Sequence, residues 1–211
     1  MEIIRLEVGP LATNAYLLKD DASADGAVID PGADGARLVK RCAEAGLAPL
    51  YVINTHAHPD HIGANAALKE AFPGVQLCLT RAAAMRLSDS DTDLMLSFGD
   101  ARPSPAPDMI IKDGDELTFG AGLLRVLVTP GHAPGSICLL AAREEPQHLF
   151  CGDLVFRDSV GRTDLPGGNA DRLMASIRDK VLTLRDDTIV HSGHGPDTTV
   201  GREREHNPFF P

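Results

Sequence analysis

The 211-residue sequence has no tryptophan, and its two tyrosines and seven phenylalanines make up only 4% of it. With so few large rings, a core has to rest on Leu, Val, Ile and Ala. The 43% hydrophobic content supports one of useful size in a chain this long. Cysteine is also scarce. Cys42, Cys78, Cys138 and Cys151 lie far apart and form no CxxC pair. Three of them sit in apolar surroundings and read as small buried hydrophobes, and the set suits a reduced, cytoplasmic protein better than a disulfide framework. Cations are in deficit: 20 Lys and Arg stand against 30 Asp and Glu, a net charge of −10. Such a surface repels phosphate backbones, so no nucleic-acid partner is expected, although bound metals and a few arginines can still make one pocket positive. The opening MEIIRLEVGP lacks a basic segment followed by an apolar one, and no run approaches the length of a membrane span. Neither a signal peptide nor a membrane partner is expected.

What is present is an alternation of short apolar strands and helices. Strands are expected at Ile3–Val8, Ala15–Lys19 and Ala27–Ile29, with Asp30-Pro31-Gly32 as the break. A helix follows over Asp34–Ala45 with Gly46 as its stop, then a strand at Leu50–Asn54, a helix at Ala64–Phe72 and a strand at Val75–Thr80. Residues 88–108 read as a long irregular loop with a covering or binding role. Its acidic run fails as a calcium loop, because Leu94 stands where glycine is required and Asp100 where glutamate is expected. A second block of strands is expected at Glu116–Phe119, Leu123–Val128, Ile137–Ala141 and Leu149–Cys151. An amphipathic helix from Asn169 to Leu184, a strand at Thr188–His191 and a helical tail at Val200–His206 complete the chain. Two strand blocks, each followed by helices, suggest one α/β domain over residues 1–211, with two sheets face to face and helices outside.

Histidine is concentrated where strands end. His56, His58 and His61 follow the Leu50–Asn54 strand, in the run His56-Ala57-His58-Pro59-Asp60-His61. His132 follows another in Thr129-Pro130-Gly131-His132, Asp153 a third in Cys151-Gly152-Asp153, and His194 a fourth in Ser192-Gly193-His194-Gly195. In an extended segment, His56 and His58 face the same side and can share one metal. Asp60 and His61 are adjacent and can aim at a second. Imidazole with carboxylate suits Zn²⁺, Fe or Mn²⁺, and a bridging carboxylate can hold two ions about 3.5–4 Å apart around an activated water. The other histidines read as ordinary: His148 solvent-facing in a turn, His191 structural at a strand end, His206 exposed near the tail.

The pattern His56-x-His58-x-Asp60-His61 with Gly131-His132, Gly152-Asp153 and Gly193-His194 resembles the metallo-β-lactamase superfamily. The resemblance implies an αβ/βα sandwich of two mixed sheets with helices on the outer faces. It implies a first metal on His56, His58 and His132, a second on Asp60, His61 and His194, and Asp153 as the bridge. Asp30 matches an aspartate that orients the metal loop from behind the ligands. Within the superfamily, Gly161-Arg162-Thr163-Asp164, Gly193-His194-Gly195-Pro196 and Asn207-Pro208-Phe209 look like short glyoxalase II-like thioesterases. That resemblance implies two divalent ions, Zn²⁺ first and Fe or Mn²⁺ next, and hydrolysis of an S-2-hydroxyacyl glutathione or related small thioester by a metal-bridging hydroxide. His58 and Asp60 are the expected catalytic residues. Arg162 aligns with a basic substrate-binding position, against the plainer reading of an ion pair with Asp164. The helical domain with which two-domain glyoxalase II enzymes grip glutathione is not expected in a chain of this length.

The competing expectation is a persulfide dioxygenase, which shares the fold and the Gly-Arg-Thr-Asp segment. It would need one iron on His56, His132 and Asp153. β-Lactamase or nuclease activity ranks behind, the first against the cytoplasmic character and the second against the acidic surface.

Overall fold

The structure is a computed structural model that describes residues 1–87 and 99–210. The acidic run and Leu94 therefore lie outside the described residues. The chain divides into two compact units, Met1–Ile111 with Thr118–Gly122, and Lys112–Leu117 with Leu123–Pro211.

The first unit is built on a six-stranded sheet in the order β1 to β6. Strands β1 (Glu2–Val8), β2 (Thr13–Lys19) and β3 (Asp25–Ile29) form an antiparallel meander. Strands β4 (Ala48–Ile53), β5 (Gln76–Thr80) and β6 (Met109–Ile111) continue it in parallel from β3. Parallel neighbours need crossovers. Helix α1 (Gly35–Glu44) supplies one, and α2 (Pro59–Ile62) with α3 (Asn65–Ala71) the next; α4 (Arg81–Ala84) follows β5. In α1, Gly35, Leu38 and Cys42 turn inward at helical spacing while Arg37, Lys40 and Glu44 face water. Leu38 and Cys42 meet Leu17, Val28, Val52, Leu68 and Leu77 in one apolar cluster. Alternate residues of the same strands, such as Leu18, Ala27, Ile29 and Ile53, are also buried. That double burial explains why the strands read as near-continuous apolar runs.

The second unit carries a six-stranded sheet in the order β14-β13-β10-β9-β8-β7. Its strands are β7 (Glu116–Phe119), β8 (Gly122–Val128), β9 (Ile137–Ala141), β10 (His148–Gly152), β13 (Ile189–Ser192) and β14 (Thr198–Thr199). A hairpin of β11 (Val155–Phe156) and β12 (Ser159–Val160) follows β10. Strands β8, β9 and β10 are antiparallel, whereas β10 and β13 run parallel. The crossover between that pair contains α5 (Ala170–Ser176), and α6 (Val200–His206) closes the chain. Leu173, Ile177 and Val181 pack with Leu149, Leu154, Val190 and Val200.

The α/β class with two mixed sheets and flanking helices is the expected one. Two local differences are instructive. The single helix expected over Asn169–Leu184 is α-helical only to Ser176 and then winds as a π-turn over Ile177–Val181. The histidine run, read as extended with a Pro-stiffened turn, bends into α2 at Pro59, where a proline's missing N–H costs nothing. All four cysteines are free and buried. Burial pushes the Cys42 thiol up to about 11 and the Cys78 thiol up to about 12. Among the described residues, no helix is long and apolar enough to cross a membrane.

Candidate functional site

The candidate donors sit at strand ends in both units. In the first unit, β4 stops at Ile53 and the chain passes through Asn54 and Thr55 into the histidine run. Asn54 fixes the far end of that run: its side-chain amide donates to the His61 carbonyl at 2.9 Å and pairs with Asn65. Asp30 stands just past β3 in the left-handed region, at φ 48°, and its N–H donates to the Ile53 carbonyl. This conformation is uncommon for a residue with a side chain and tolerated best by Asp and Asn. It brings the carboxylate beside the Thr55–His61 segment. There it accepts from the Thr55 N–H at 2.7 Å, from the Thr55 hydroxyl at 2.6 Å and from His61 Nδ1 at 2.9 Å.

These bonds set the imidazole tautomers. His61 donates from Nδ1 to Asp30, so its Nε2 carries the lone pair, 3.4 Å from Asp60 Oδ2. The Thr55 hydroxyl proton is committed to Asp30, so His56 Nδ1, 3.1 Å away, must donate to that oxygen. His56 Nε2 is then also a lone-pair donor, 3.0 Å from His58 Nδ1. Asp60 is itself held by the Thr13 hydroxyl, which donates to Oδ2 at 3.0 Å. One oxygen of Asp30 lies within 4.8 Å of ring nitrogens of His56 and His61, a spacing that could hold an ion. Its two oxygens already take three hydrogen bonds from Thr55 and His61. Gly32 completes the loop, since a Cβ there would overlap the Asp60 carbonyl oxygen.

In the second unit, His132 follows β8 and is only 3% exposed. Its Nδ1 donates to the Arg162 carbonyl at 2.8 Å, leaving Nε2 as the lone-pair nitrogen, 3.6 Å from Asp153 Oδ2. His194, after β13, places its Nε2 at the same 3.6 Å from that same oxygen. Asp153 Oδ2 thus faces one imidazole from each expected metal set. Gly161 lets the chain pass close behind, since a Cβ there would overlap the Asp153 carbonyl oxygen and press on His132 Cβ at 3.3 Å.

The donor chemistry fits divalent metal. Two atoms bonded at about 2.0–2.1 Å to one tetrahedral ion lie roughly 3.4 Å apart. The separations of 3.4 Å for His61 with Asp60 and 3.6 Å for His132 and His194 with Asp153 match that spacing. They are long for hydrogen bonds. Backing of ligand imidazoles by carboxylate or carbonyl acceptors is the usual arrangement around bound metal.

The remaining assignments divide. Arg162 makes a bidentate pair with Asp164, both contacts at 2.7 Å, and the exposed guanidinium holds the Asp164 carboxyl down at about 2. His148 is not solvent-facing. It opens β10 half-buried, with Nδ1 2.8 Å from His191 Nε2, and burial followed by the neighbouring His191 lowers its pKa. The buried His191 ring stacks on Phe150, at a centroid distance of 4.7 Å. His206 is exposed at the end of α6. Sequence reasoning missed Thr13 and Thr55. Thr55 immediately precedes the first ligand and was open to detection, whereas Thr13 is 47 residues from Asp60 and left no local signal.

The chain belongs to the metallo-β-lactamase superfamily, whose model matches residues 8–194. Probable metallo-hydrolase YqgX of Bacillus subtilis is 39% identical over 208 residues, spanning 98% of this chain and 96% of the relative. Hydroxyacylglutathione hydrolase GloC of Haemophilus influenzae is 35% identical, with 100% and 98% covered. Human mitochondrial persulfide dioxygenase ETHE1 is 33% identical, with 93% and 70% covered. Among solved structures, TTHA1623 in a di-iron-bound form superposes with a TM-score of 0.87 at 37% identity, covering 98% of this chain and 100% of that one. The B3 metallo-β-lactamase BLEG-1 superposes at 0.86 and 39%, with 99% of each chain covered.

Proposed function

We propose that this protein is a dinuclear metallohydrolase of small thioesters, tested first on S-lactoylglutathione. In this reading, His56, His58 and His132 hold one divalent ion, and Asp60, His61 and His194 hold a second, with Asp153 between them. The observation that carries it is the second donor set. Asp60 and His61 stand at metal-ligand spacing, and His194 is as close to Asp153 as His132 is. A mononuclear centre on His56, His132 and Asp153 has no use for these three.

A bound ion pair supplies an activated water and a Lewis acid for the acyl oxygen. The protein's own part is positional. Asp30 fixes the His61 ring directly and the His56 ring through Thr55. Thr13 holds Asp60, whose carboxylate orients the attacking water and takes up its proton. The leaving thiolate is stable in water, so no strong general acid is required. Arg162 can meet a substrate carboxylate once it exchanges Asp164 for it.

Two of the relatives are named for thiol-linked chemistry, GloC as a hydroxyacylglutathione hydrolase and ETHE1 as a persulfide dioxygenase. ETHE1 supports the second reading, in which one iron oxidises glutathione persulfide with oxygen. The test is turnover of S-lactoylglutathione by metal-loaded protein before and after His58→Ala, with nitrocefin and glutathione persulfide as control substrates. Loss of turnover by more than about a hundredfold is expected, since even outer supports of metal ligands cost 10–100-fold when removed. Full activity in the variant removes His58 from the site.

A further inference from the structure

A cavity of about 550 Å³ lies within the second unit, lined in part by the loop whose Arg162 carbonyl holds His132. Its walls are the loop Val160–Thr163, the α5 residues Ala170, Leu173 and Met174, and Phe209 from the tail. The cavity is joined to the ligand through the chain itself. The Arg162 carbonyl holds the His132 ring, Gly161 packs on His132 Cβ, and Gly131 lies against the backbone of Leu173 so closely that a side chain there would overlap it. Apart from Thr163 and Arg162 the lining is apolar, and Arg162 is already neutralised by Asp164. Phe209 is 53% exposed, although its N–H is anchored on the Asn207 side chain at 3.1 Å. Asn207 is in turn tied to the Ser159 carbonyl and to the buried Glu203. An exposed aromatic ring on a tethered backbone is an uncovered apolar wall, not a frayed end.

We infer that this cavity is an apolar subsite for an alkyl chain carried by the thioester, with Met174 and Phe209 as the residues that set its length preference. The inference rests on the thioesterase reading of the metal site and narrows its substrate class. The preferred substrate carries several methylenes beyond a lactoyl group, on either the acyl or the thiol side. The chemistry of the lining favours this. An unbranched methionine adapts to chains of differing length, and Arg162 in the wall is held by Asp164 unless a substrate carboxylate displaces it. Each methylene seated there raises affinity about fourfold.

The experiment uses the metal-loaded protein with ¹³C-methyl-labelled methionines and two probes that are not hydrolysed, S-methylglutathione and S-hexylglutathione. Binding is measured by calorimetry and by the shift of the Met174 methyl resonance. The hexyl probe should bind at least tenfold tighter and shift that resonance. Met174→Ser and Phe209→Ser should each abolish most of the gain, and Met174→Leu should retain it. A kinetic arm separates the two sources of chain: hexanoylglutathione extends the acyl side, and the lactoyl thioester of hexanethiol extends the thiol side. Higher kcat/KM than S-lactoylglutathione for one of them, lost in Met174→Ser, assigns the chain to that side. Equal affinity for the methyl and hexyl probes, with S-lactoylglutathione still hydrolysed, overturns the subsite and leaves the thioesterase reading intact. Tight hexyl binding with no thioester turned over overturns the thioesterase reading and leaves the subsite.

Discussion

Three donors converge on Asp30, and through them it fixes two imidazole rings. Asp30→Asn keeps the shape but puts an NH2, which cannot accept, in place of one oxygen, so either the Thr55 N–H or the Thr55 hydroxyl with His61 loses its acceptor. Metal affinity, read by competition with a chromophoric chelator, should fall about 10–100-fold, with Thr55→Val falling in the same direction by less. Unchanged affinity in Asp30→Asn would remove it from the account. The cysteines give a second prediction at this scale. Burial raises the folded-state pKa of Cys42 to about 11 and of Cys78 to about 12, above the ordinary 9.0. A raised pKa means the fold favours the protonated thiol. That stabilisation is complete below about pH 9 and is lost as pH rises through 11 to 12. A thiol reagent at about pH 8 should therefore react slowly with the native protein and count all four thiols after denaturation. Denaturation midpoints should fall between pH 9 and 12, and less steeply in a Cys42→Ala, Cys78→Ala double variant.

At the scale of elements, most strands and the longest helix were legible because their signals are local. Helix α1 shows its inward face at helical spacing and stops at Gly46, which sits at φ 63°. The donors at the ends of β4, β8, β10 and β13 were legible for the same reason, as His or Asp framed by Gly just beyond an apolar run. Three features were not. Helix α2 is four residues long, too short for any periodicity, and its proline reads equally well as a turn. The π-turn after Ser176 preserves the apolar spacing of an α-helix closely enough to hide the change in winding. The half-buried place of His148 follows from parallel pairing with a strand about forty residues on, which leaves no trace around Gln147-His148. The loop behind Asp153 and His132 makes its own prediction. Gly161→Ala forces a methyl group onto the Asp153 carbonyl oxygen. Stability should fall by about 1–3 kcal/mol, roughly 2–10 °C in melting temperature. Metal affinity should fall with it, because the shift moves Asp153. An unaltered melting curve would mean that the loop yields without disturbing its neighbours.

For the whole molecule, family membership and the donor chemistry agree that this chain is made to hold divalent metal. A ligand that binds only the folded protein stabilises it by mass action, by about 2.7 kcal/mol at a hundredfold excess over its dissociation constant. The melting temperature should therefore rise with added Zn²⁺, Fe²⁺ or Mn²⁺ and fall on chelation, and the rise should shrink when His58 or Asp60 is replaced. The proposed activity turns on ion number, because it assigns Asp60, His61 and His194 to a second ion. The most direct measurement is elemental analysis of the purified protein, combined with turnover of S-lactoylglutathione by the same sample. Two divalent ions per chain, with thioester hydrolysis and no oxygen uptake, is the predicted result. One iron per chain, with oxygen consumed on glutathione persulfide and the thioester untouched, would contradict it.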